Sequence, residues 1–299
     1  MSKQLIVIAG PTASGKTDLS VVLAKEWNTV VISGDSRQFY KEMSIGTAKP
    51  TSSEMQGIKH YFIDSHSIKN EINAAHFAKE AEILLQELFK NNDKVILTGG
   101  SGMFLDALCF GLDDIPHSKE VQEELNWEFK QKGLEQLKLE LLEKDPEYYS
   151  IVDLQNPIRI IRALEVIRIT GTPYSILRKG SKKVNDFDIN YFVLDVPRDT
   201  LYNRINLRVD NMIKAGLEEE VKSLINYRDL KPLSTVGYSE WFQFFDNSID
   251  RNTCIELIKQ NSRRYAKRQV TWFKRNPDAI WVNFGSTQEM KNTILKSIQ

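Results

Sequence analysis

Leu5-Ile6-Val7-Ile8-Ala9-Gly10-Pro11-Thr12-Ala13-Ser14-Gly15-Lys16-Thr17 decides the fold. Its apolar first half has the texture of a fully buried strand, and its second half matches G-x-x-x-x-G-K-[ST] at every fixed position. Gly10 and Gly15 permit backbone angles that a Cβ opposes, so the N–H groups of Thr12, Ala13 and Ser14 can turn inward as an anion nest. Asp18 to Lys25 then has helical character, and the positive end of that helix adds to the nest. Lys16 brings a formal charge to a polyphosphate, and the Thr17 hydroxyl suits magnesium. A plain glycine-rich turn is the bland alternative; the strand before and the helix after weigh against it. Whether the phosphate is transferred or merely leaves stays open.

Working outward, Thr29-Val30-Val31-Ile32-Ser33 is a second apolar run, ending in Gly34-Asp35-Ser36-Arg37-Gln38. In a parallel α/β sheet such a cluster lies on the ligand edge, which makes Asp35 a candidate for chemistry or, equally, a turn cap. Asn73 to Phe89 has helical spacing, and Lys94 to Thr98 is a strand running into Gly99-Gly100-Ser101-Gly102 and a helix from Met103 to Phe110. This second strand–turn–helix unit brings the Ser101 hydroxyl to the same edge. No acid ends these central strands in the manner of phosphate-hydrolysing P-loop enzymes, unless Asp35 takes that part.

From about Leu112 the texture becomes helical, dense in Glu, Lys, Leu and Gln between Ser118 and Lys144. Pro157 to Thr170 continues it and displays Arg159, Arg162 and Arg168; a solvated face pairing with Glu165 is the bland alternative for these. Gly171-Thr172-Pro173 stops the helix, and Ser181 to Asp188 is a polar connector. Strand character returns at Asn190 to Val196, followed by helix from Arg198 to Ile225 with Arg204 and Arg208 four apart, either of which a phosphate site can recruit. Thr235 to Tyr238 is a turn, and Ile255 to Lys274 a long helix with interleaved basic and aromatic residues. That pattern suits stacking on looped RNA, or equally a core-facing aromatic stripe. The expected architecture is α/β: a P-loop NTPase-like parallel sheet flanked by helices over 1–112 and 189–299, with an all-helical insertion over 113–188.

With 299 residues, 41% hydrophobic and 27% charged, the chain is expected to be globular and cytoplasmic, with no membrane span or signal peptide. Cys109 and Cys254 fit buried thiols in a reducing compartment, and the four histidines have no zinc spacing. Forty basic residues balance forty acidic ones, yet Arg263, Arg264, Lys267, Arg268, Lys274 and Arg275 crowd a stretch without an acid. A neutral total thus hides a local positive field.

Several stretches together resemble the bacterial tRNA dimethylallyltransferase family: GPTASGKT at Gly10–Thr17, DSRQFY at Asp35–Tyr40, IGTAKP at Ile45–Pro50, GGSG at Gly99–Gly102, NPIRIIRALEV at Asn156–Val166, TVGY at Thr235–Tyr238 and AKRQVTWFKR at Ala266–Arg275. The resemblance implies transfer of a dimethylallyl group from its diphosphate to N6 of the adenosine immediately 3′ of the anticodon, in tRNAs reading codons that start with U. It makes the diphosphate a leaving group held by Gly10, Thr12 to Thr17 and Arg208, with Mg2+ at Thr17 and Lys16 absorbing developing charge. Asp35 becomes the base for the N6 proton, assisted by Ser101. The target base would have to flip out of its stack. Asp35, Ser36, Arg37, Gln38, Ser101, the run Ile158-Arg159-Ile160-Ile161-Arg162, Gly237, Tyr238, Lys267, Arg268, Gln269, Thr271, Trp272 and Lys274 are implied to touch the tRNA, and the insertion to grip the anticodon stem-loop of a tRNA bound to a monomer. Three positions depart from the family pattern: Ser44 replaces Asp, Ser101 replaces Thr and Phe104 replaces Tyr. A P-loop kinase of a small molecule or nucleotide is the alternative enzyme, and a non-enzymatic RNA binder the alternative from another class, poorly matched to an intact loop.

Overall fold

The computed structural model describes residues 2–178, 180 and 183–298, so Ser181 and Lys182 of the expected connector lie outside the described residues. Six strands form one parallel sheet: β1 (Gln4–Ala9), β2 (Val31–Ser33), β3 (His60–Tyr61), β4 (Lys94–Gly99), β5 (Asp188–Asp195) and β6 (Ile280–Asn283). Their spatial order is β3-β2-β4-β1-β5-β6, so β1 lies at the centre between two strands that come much later in the chain. This is why its Leu5 to Ala9 segment is an unbroken apolar run: all five residues are fully buried, covered on both faces as parallel strands are. Ile6 and Ile8 pack with Leu19 and Leu23 of the helix Lys16–Glu26, and with Phe192, Val282 and Ile294.

Register carries the sheet's functional consequence. Ala9 pairs with Gly99, and Ser33 with Thr98. One residue beyond each strand, the chain therefore delivers Gly10, Gly34-Asp35 and Gly100-Ser101 to one edge. The close approach demands glycine, since a Cβ on Gly99 would stand 2.8 Å from the Gly34 carbonyl carbon.

The chain divides into two compact units, the sheet unit running to Cys109 and resuming at Val184, and a helical unit Phe110–Lys183. The seams expected at 112/113 and 188/189 thus move. Asn185 already donates to the Cys109 carbonyl, and Asp188 already pairs with Gln4. In the helical unit, Lys119–Lys132 and Leu134–Lys144 are separate helices because Gly133 turns the chain at φ 78°. Helix Pro157–Thr170 starts under an Asn156 side-chain cap with Pro157 in its first turn, and ends at Gly171 in the left-handed region. Its inner face, with Ile160, Ile161, Ala163 and Leu164, packs on Leu125, Leu137 and Leu141. Burying each such side chain stabilises the unit by about 1.5–3 kcal/mol.

Cys109 and Cys254 are both buried, and neither forms a disulfide. No helix among the described residues is long and apolar enough to cross a membrane.

Candidate functional site

The loop after β1 adopts positive φ at Gly10 (154°), Ala13 (63°) and Gly15 (96°), which lets successive amides face one concavity. Ala13 is the costly member, since an alanine holds the left-handed conformation only when its surroundings compel it. Arg204 Nε donates to the Ala13 carbonyl at 2.7 Å, and Arg208 reaches the Thr12 hydroxyl at 3.2 Å. Helix Arg198–Lys214 carries both arginines on one face, as their four-residue spacing requires. Lys16 Nζ donates to the Pro11 carbonyl at 2.8 Å. The Ser14 hydroxyl is buried in the loop without a partner.

Lys16, Arg204 and Arg208 thus converge on one short loop, and none forms an ion pair with a carboxylate among the described residues. Burial, followed by repulsion from Arg208, lowers the Lys16 ammonium to about 7, while the Asp35 carboxylate pulls the other way. Arg208 is likewise lowered by burial and by Arg204. A concavity of amides with an orphaned hydroxyl and self-repelling cations is built for an anion of more than one charge. Thr17 stands at the start of helix Lys16–Glu26. Among the described residues no three His, Cys, Asp or Glu side chains gather as a metal cage. One hydroxyl beside a polyanion site fits Mg2+, which keeps its waters and takes most ligands from the phosphates.

Asp35 lies across the loop, partly buried, where its charge reaches both Lys16 and Arg208. Its carboxylate accepts from the Arg37 amide at 3.0 Å, so it is a turn cap and a site group at once. The Ser36 amide donates to Ser101 Oγ at 3.0 Å, and the two hydroxyls bond to each other at 3.0 Å. Gln38 donates to the Thr47 and Ala48 carbonyls, holding the Ile45–Pro50 loop against the Asp35 turn. β5 does end in an acid, Asp195, which the chain's central-strand pattern did not reveal; its side chain is exposed.

The residues expected to touch RNA separate into three groups. Lys267, Arg268, Thr271 and Lys274 are exposed on helix Arg251–Phe273, as are Ile158, 77% exposed, and Arg159 on the helical unit. Ser36, Arg37, Gln38 and Trp272 are partly buried, whereas Ser101 and Gly237 are buried, the Gly237 amide donating to Glu240 at 2.8 Å. The rest are corrections. Ile160 and Ile161 are core residues of the helical unit, 0% and 5% exposed, because the helix turns them inward. Tyr238 is fully buried, and its hydroxyl donates to Glu220 at 2.6 Å. Gln269 is buried and bridges two loops, accepting from the Thr12 amide at 2.9 Å and donating to the Gly100 carbonyl at 2.8 Å. Arg162 takes the bland role: it donates to Glu165 at 2.8 Å and to the Pro116 and Ile115 carbonyls.

Glu220 escaped the sequence altogether. It accepts from the Ser44, Ile45 and Gly46 amides and from Tyr238, pinning the Ile45–Pro50 loop, while Gly46 has no Cβ because the Tyr238 ring would lie 2.5 Å from it. Trp272 similarly lies over Gly102, 2.2 Å from where a Cβ would be, and donates to Asp106 at 2.6 Å. The departures find places too. Ser44 Oγ takes a long 3.4 Å bond from Lys49, whose charge is paired instead by Asp64 at 2.5 Å. Phe104 packs between Phe39 and Phe77, ring centroids 5.6 and 5.7 Å away.

Parallel order with β1 central, a glycine-framed loop at its carboxyl end and two further turns at the same edge define a P-loop-like α/β protein. The family model described as IPP transferase matches residues 38–276, and the chain belongs to that family. It is 48% identical to the tRNA dimethylallyltransferase of Cytophaga hutchinsonii over 300 residues, covering 100% of this chain and 99% of that one. Identity to tRNA dimethylallyltransferase 1 of Bacteroides thetaiotaomicron is 45%, over 93% of this chain and 90% of the relative. Among solved structures, the full-length tRNA isopentenylpyrophosphate transferase of Bacillus halodurans superposes with a TM-score of 0.72 at 36% identity, covering 99% of this chain and 97% of that one. A eukaryotic dimethylallyltransferase acting on tRNA reaches 0.81 at 25% identity, over 99% and 78% of the two chains.

Proposed function

We propose that the chain transfers a dimethylallyl group from dimethylallyl diphosphate to N6 of the adenosine immediately 3′ of the anticodon, releasing diphosphate. The observation that carries this is the charge arrangement: three cations and an orphaned hydroxyl on one loop, faced by the Asp35 carboxylate, whose charge reaches both Lys16 and Arg208. A carboxylate so placed can take the proton of an attacking amine as well as that of a phosphoryl acceptor, and the likeness to relatives named tRNA dimethylallyltransferase favours the amine.

In the reaction, the C1–O bond of the donor breaks and a C1–N6 bond forms. Its electron pair leaves with the diphosphate, which the Gly10–Thr17 nest, Lys16 and Arg208 receive as charge develops. Asp35 takes the N6 proton, and Ser101, bonded to Ser36 on the same turn, steadies the amine's approach. Thr17 would hold Mg2+, which would supply further positive charge to the leaving group. Exposed Lys267, Arg268, Thr271, Lys274, Ile158 and Arg159 are the tRNA contacts we assign, with Asp35 to Gln38, Gly237 and Trp272 at the target base, and the helical unit takes the anticodon stem-loop. We assign tRNAs that read codons starting with U. One chain supplies every group of the site, in keeping with a monomer, and cysteines outside any disulfide suit the cytoplasm.

Labelled dimethylallyl diphosphate, Mg2+ and unmodified tRNA are expected to leave label on a single adenine. Phosphate transfer from γ-labelled ATP to a metabolite, with no prenylation of competent tRNA, would overturn the assignment in favour of a kinase.

A further inference from the structure

The phosphate loop depends on Ala13, whose left-handed φ of 63° an L-residue with a Cβ adopts only under constraint. The constraint comes from one face of helix Arg198–Lys214, where Leu201, Arg204 and Ile205 stand at i, i+3 and i+4. Leu201 and Ile205 belong to one buried cluster with the Ala13 methyl, which is 4% exposed. Arg204 Nε donates to the Ala13 carbonyl at 2.7 Å. Side chain and carbonyl of the same strained residue are thus held by the same helix, and one turn further on Arg208 reaches the Thr12 hydroxyl.

Fixing that carbonyl also aims a donor. The peptide is planar and trans, so the Ser14 amide points away from the Ala13 carbonyl. It donates to the Pro11 carbonyl at 3.3 Å, the oxygen that also takes Lys16 Nζ at 2.8 Å. The Ser14 amide and the Lys16 ammonium therefore converge on one spot. With this peptide turned over, a carbonyl would face that spot and oppose an anion there. We propose that Arg204 is a positioning residue of the diphosphate site: by holding the Ala13 carbonyl it keeps Ala13 left-handed and the Ser14 amide turned toward the anion, and it does not itself ligate the diphosphate. Its exposure favours this role over a ligand's, because water and salt screen the charge of an exposed guanidinium, whereas the bond it makes reaches a buried residue. The Phe284 ring, 5.5 Å from the guanidinium, supports the side chain from which Nε donates.

The inference rests on the Gly10–Thr17 loop being the diphosphate site, and the experiment separates the two. Arg204→Met keeps the length of the stem and removes donor and charge. In calorimetry with inorganic diphosphate and Mg2+ it is expected to weaken binding about tenfold. Glycine occupies the left-handed region without strain, so in an Ala13→Gly background the same substitution should cost less than about threefold. A loss not reduced to that extent means that Arg204 acts on the anion as a ligand or a charge, and overturns the proposal. Binding by Arg204→Met equal to the parent's overturns it too. Lys16→Met checks the reading beneath: if diphosphate affinity survives it unchanged, or the parent binds no diphosphate, the loop is not the diphosphate site and the proposal falls with that reading. The melting temperature of Arg204→Met is expected within about 2 °C of the parent, as befits an exposed side chain; a larger drop would make the loss one of folding and overturn the proposal as well.

Discussion

The arginines of helix Pro157–Thr170 and the pair flanking the Gly10–Thr17 loop are used in opposite ways. In the helical unit, Arg168 spends its guanidinium on Glu124, Glu128 and Glu140, and Arg162 on Glu165, which is itself fully buried and also accepts from His117 and the Ser118 amide. Those pairs raise the Arg168 guanidinium and hold the Glu165 carboxyl below its usual range in spite of burial. In the sheet unit, Arg204 and Arg208 bond to the loop they flank; burial and then Arg204 lower the Arg208 guanidinium, and burial and then Arg208 lower the Lys16 ammonium. Compensated charge is architecture, whereas charge gathered and left uncompensated is a site awaiting an anion. The same residue type, at the same helical spacing, means different things, and only its surroundings decide.

The largest effect tests Asp35, whose carboxylate faces both Lys16 and Arg208. Asp35→Ala should lower kcat by about 10²- to 10⁴-fold, the range for loss of a general base, while tRNA binding by filter retention is preserved. Turnover surviving within a few-fold would remove Asp35 from the proton-transfer role.

Next comes the arginine comparison itself. Arg168→Ala strands Glu128 and Glu140 and should cost about 2 kcal/mol of stability, between the values for exposed and fully buried pairs, since the side chain is 23% exposed. Arg208→Ala should leave the melting temperature unchanged or slightly raised, because it relieves repulsion on Lys16, yet weaken binding of inorganic diphosphate about ten- to a hundredfold. Denaturant titration and calorimetry on the two variants would break the contrast if the effects came out alike.

A smaller effect follows from Lys16, lowered to about 7 in the free protein. Above that pH the free amine is largely neutral, and a bound diphosphate restores its charge, so binding takes up a proton. Affinity should therefore be flat below about pH 7 and fall by up to tenfold per pH unit above it. Calorimetry in buffers of different ionisation enthalpy reads the proton directly, and Lys16→Met should abolish the slope, separating it from ionisation of the diphosphate. The sign for folding is opposite to that for a stabilising pair: the depressed value costs stability in full below about pH 7 and costs nothing above the ordinary lysine value.

The phosphate edge was legible in the chain because its chemistry is local. A buried strand, two glycines and Lys-Thr within thirteen residues leave little to tertiary context, and Arg204 and Arg208 declared a shared face by their spacing. Motif resemblance was blunter elsewhere, because it marks a stretch without saying which side chains point inward. NPIRIIRALEV and AKRQVTWFKR each contain both a solvent face and a core face, so Ile160, Ile161 and Gln269 could not be told from their neighbours by membership alone. Periodicity held part of the answer. Gln269 lies on the same helical face as Ala266 and Phe273, both buried, and Gly100 and Gly102 are small for the side chains they receive. Glu220 gave no such sign: in Glu218-Glu219-Glu220 it reads as the acidic first turn of a helix, and only the returning Ile45–Pro50 loop distinguishes it from its two glutamate neighbours, exposed Glu219 and Glu218, which pairs with Arg251.

Tyr238 sharpens that last distinction at the smallest scale. As an RNA-stacking residue its loss would raise KM for tRNA; as a strut its effect belongs to the loop it supports. The ring fills space over Gly46, and the hydroxyl is one of four donors to Glu220. Tyr238→Phe keeps the ring and removes one donor, leaving a carboxylate still served by three amides, so about 1 kcal/mol of stability and a melting temperature lower by about 2 °C are expected. KM for tRNA should stay within twofold. The sharper companion is Gly46→Ala, whose new methyl collides with the fixed ring and must displace the Ile45–Pro50 loop that Gln38 ties to the Asp35 turn. Its cost should shrink in a Tyr238→Leu background, where the ring is gone and the methyl has room. Independent, additive effects of the two substitutions would detach the loop from Tyr238 and reopen the tyrosine to RNA.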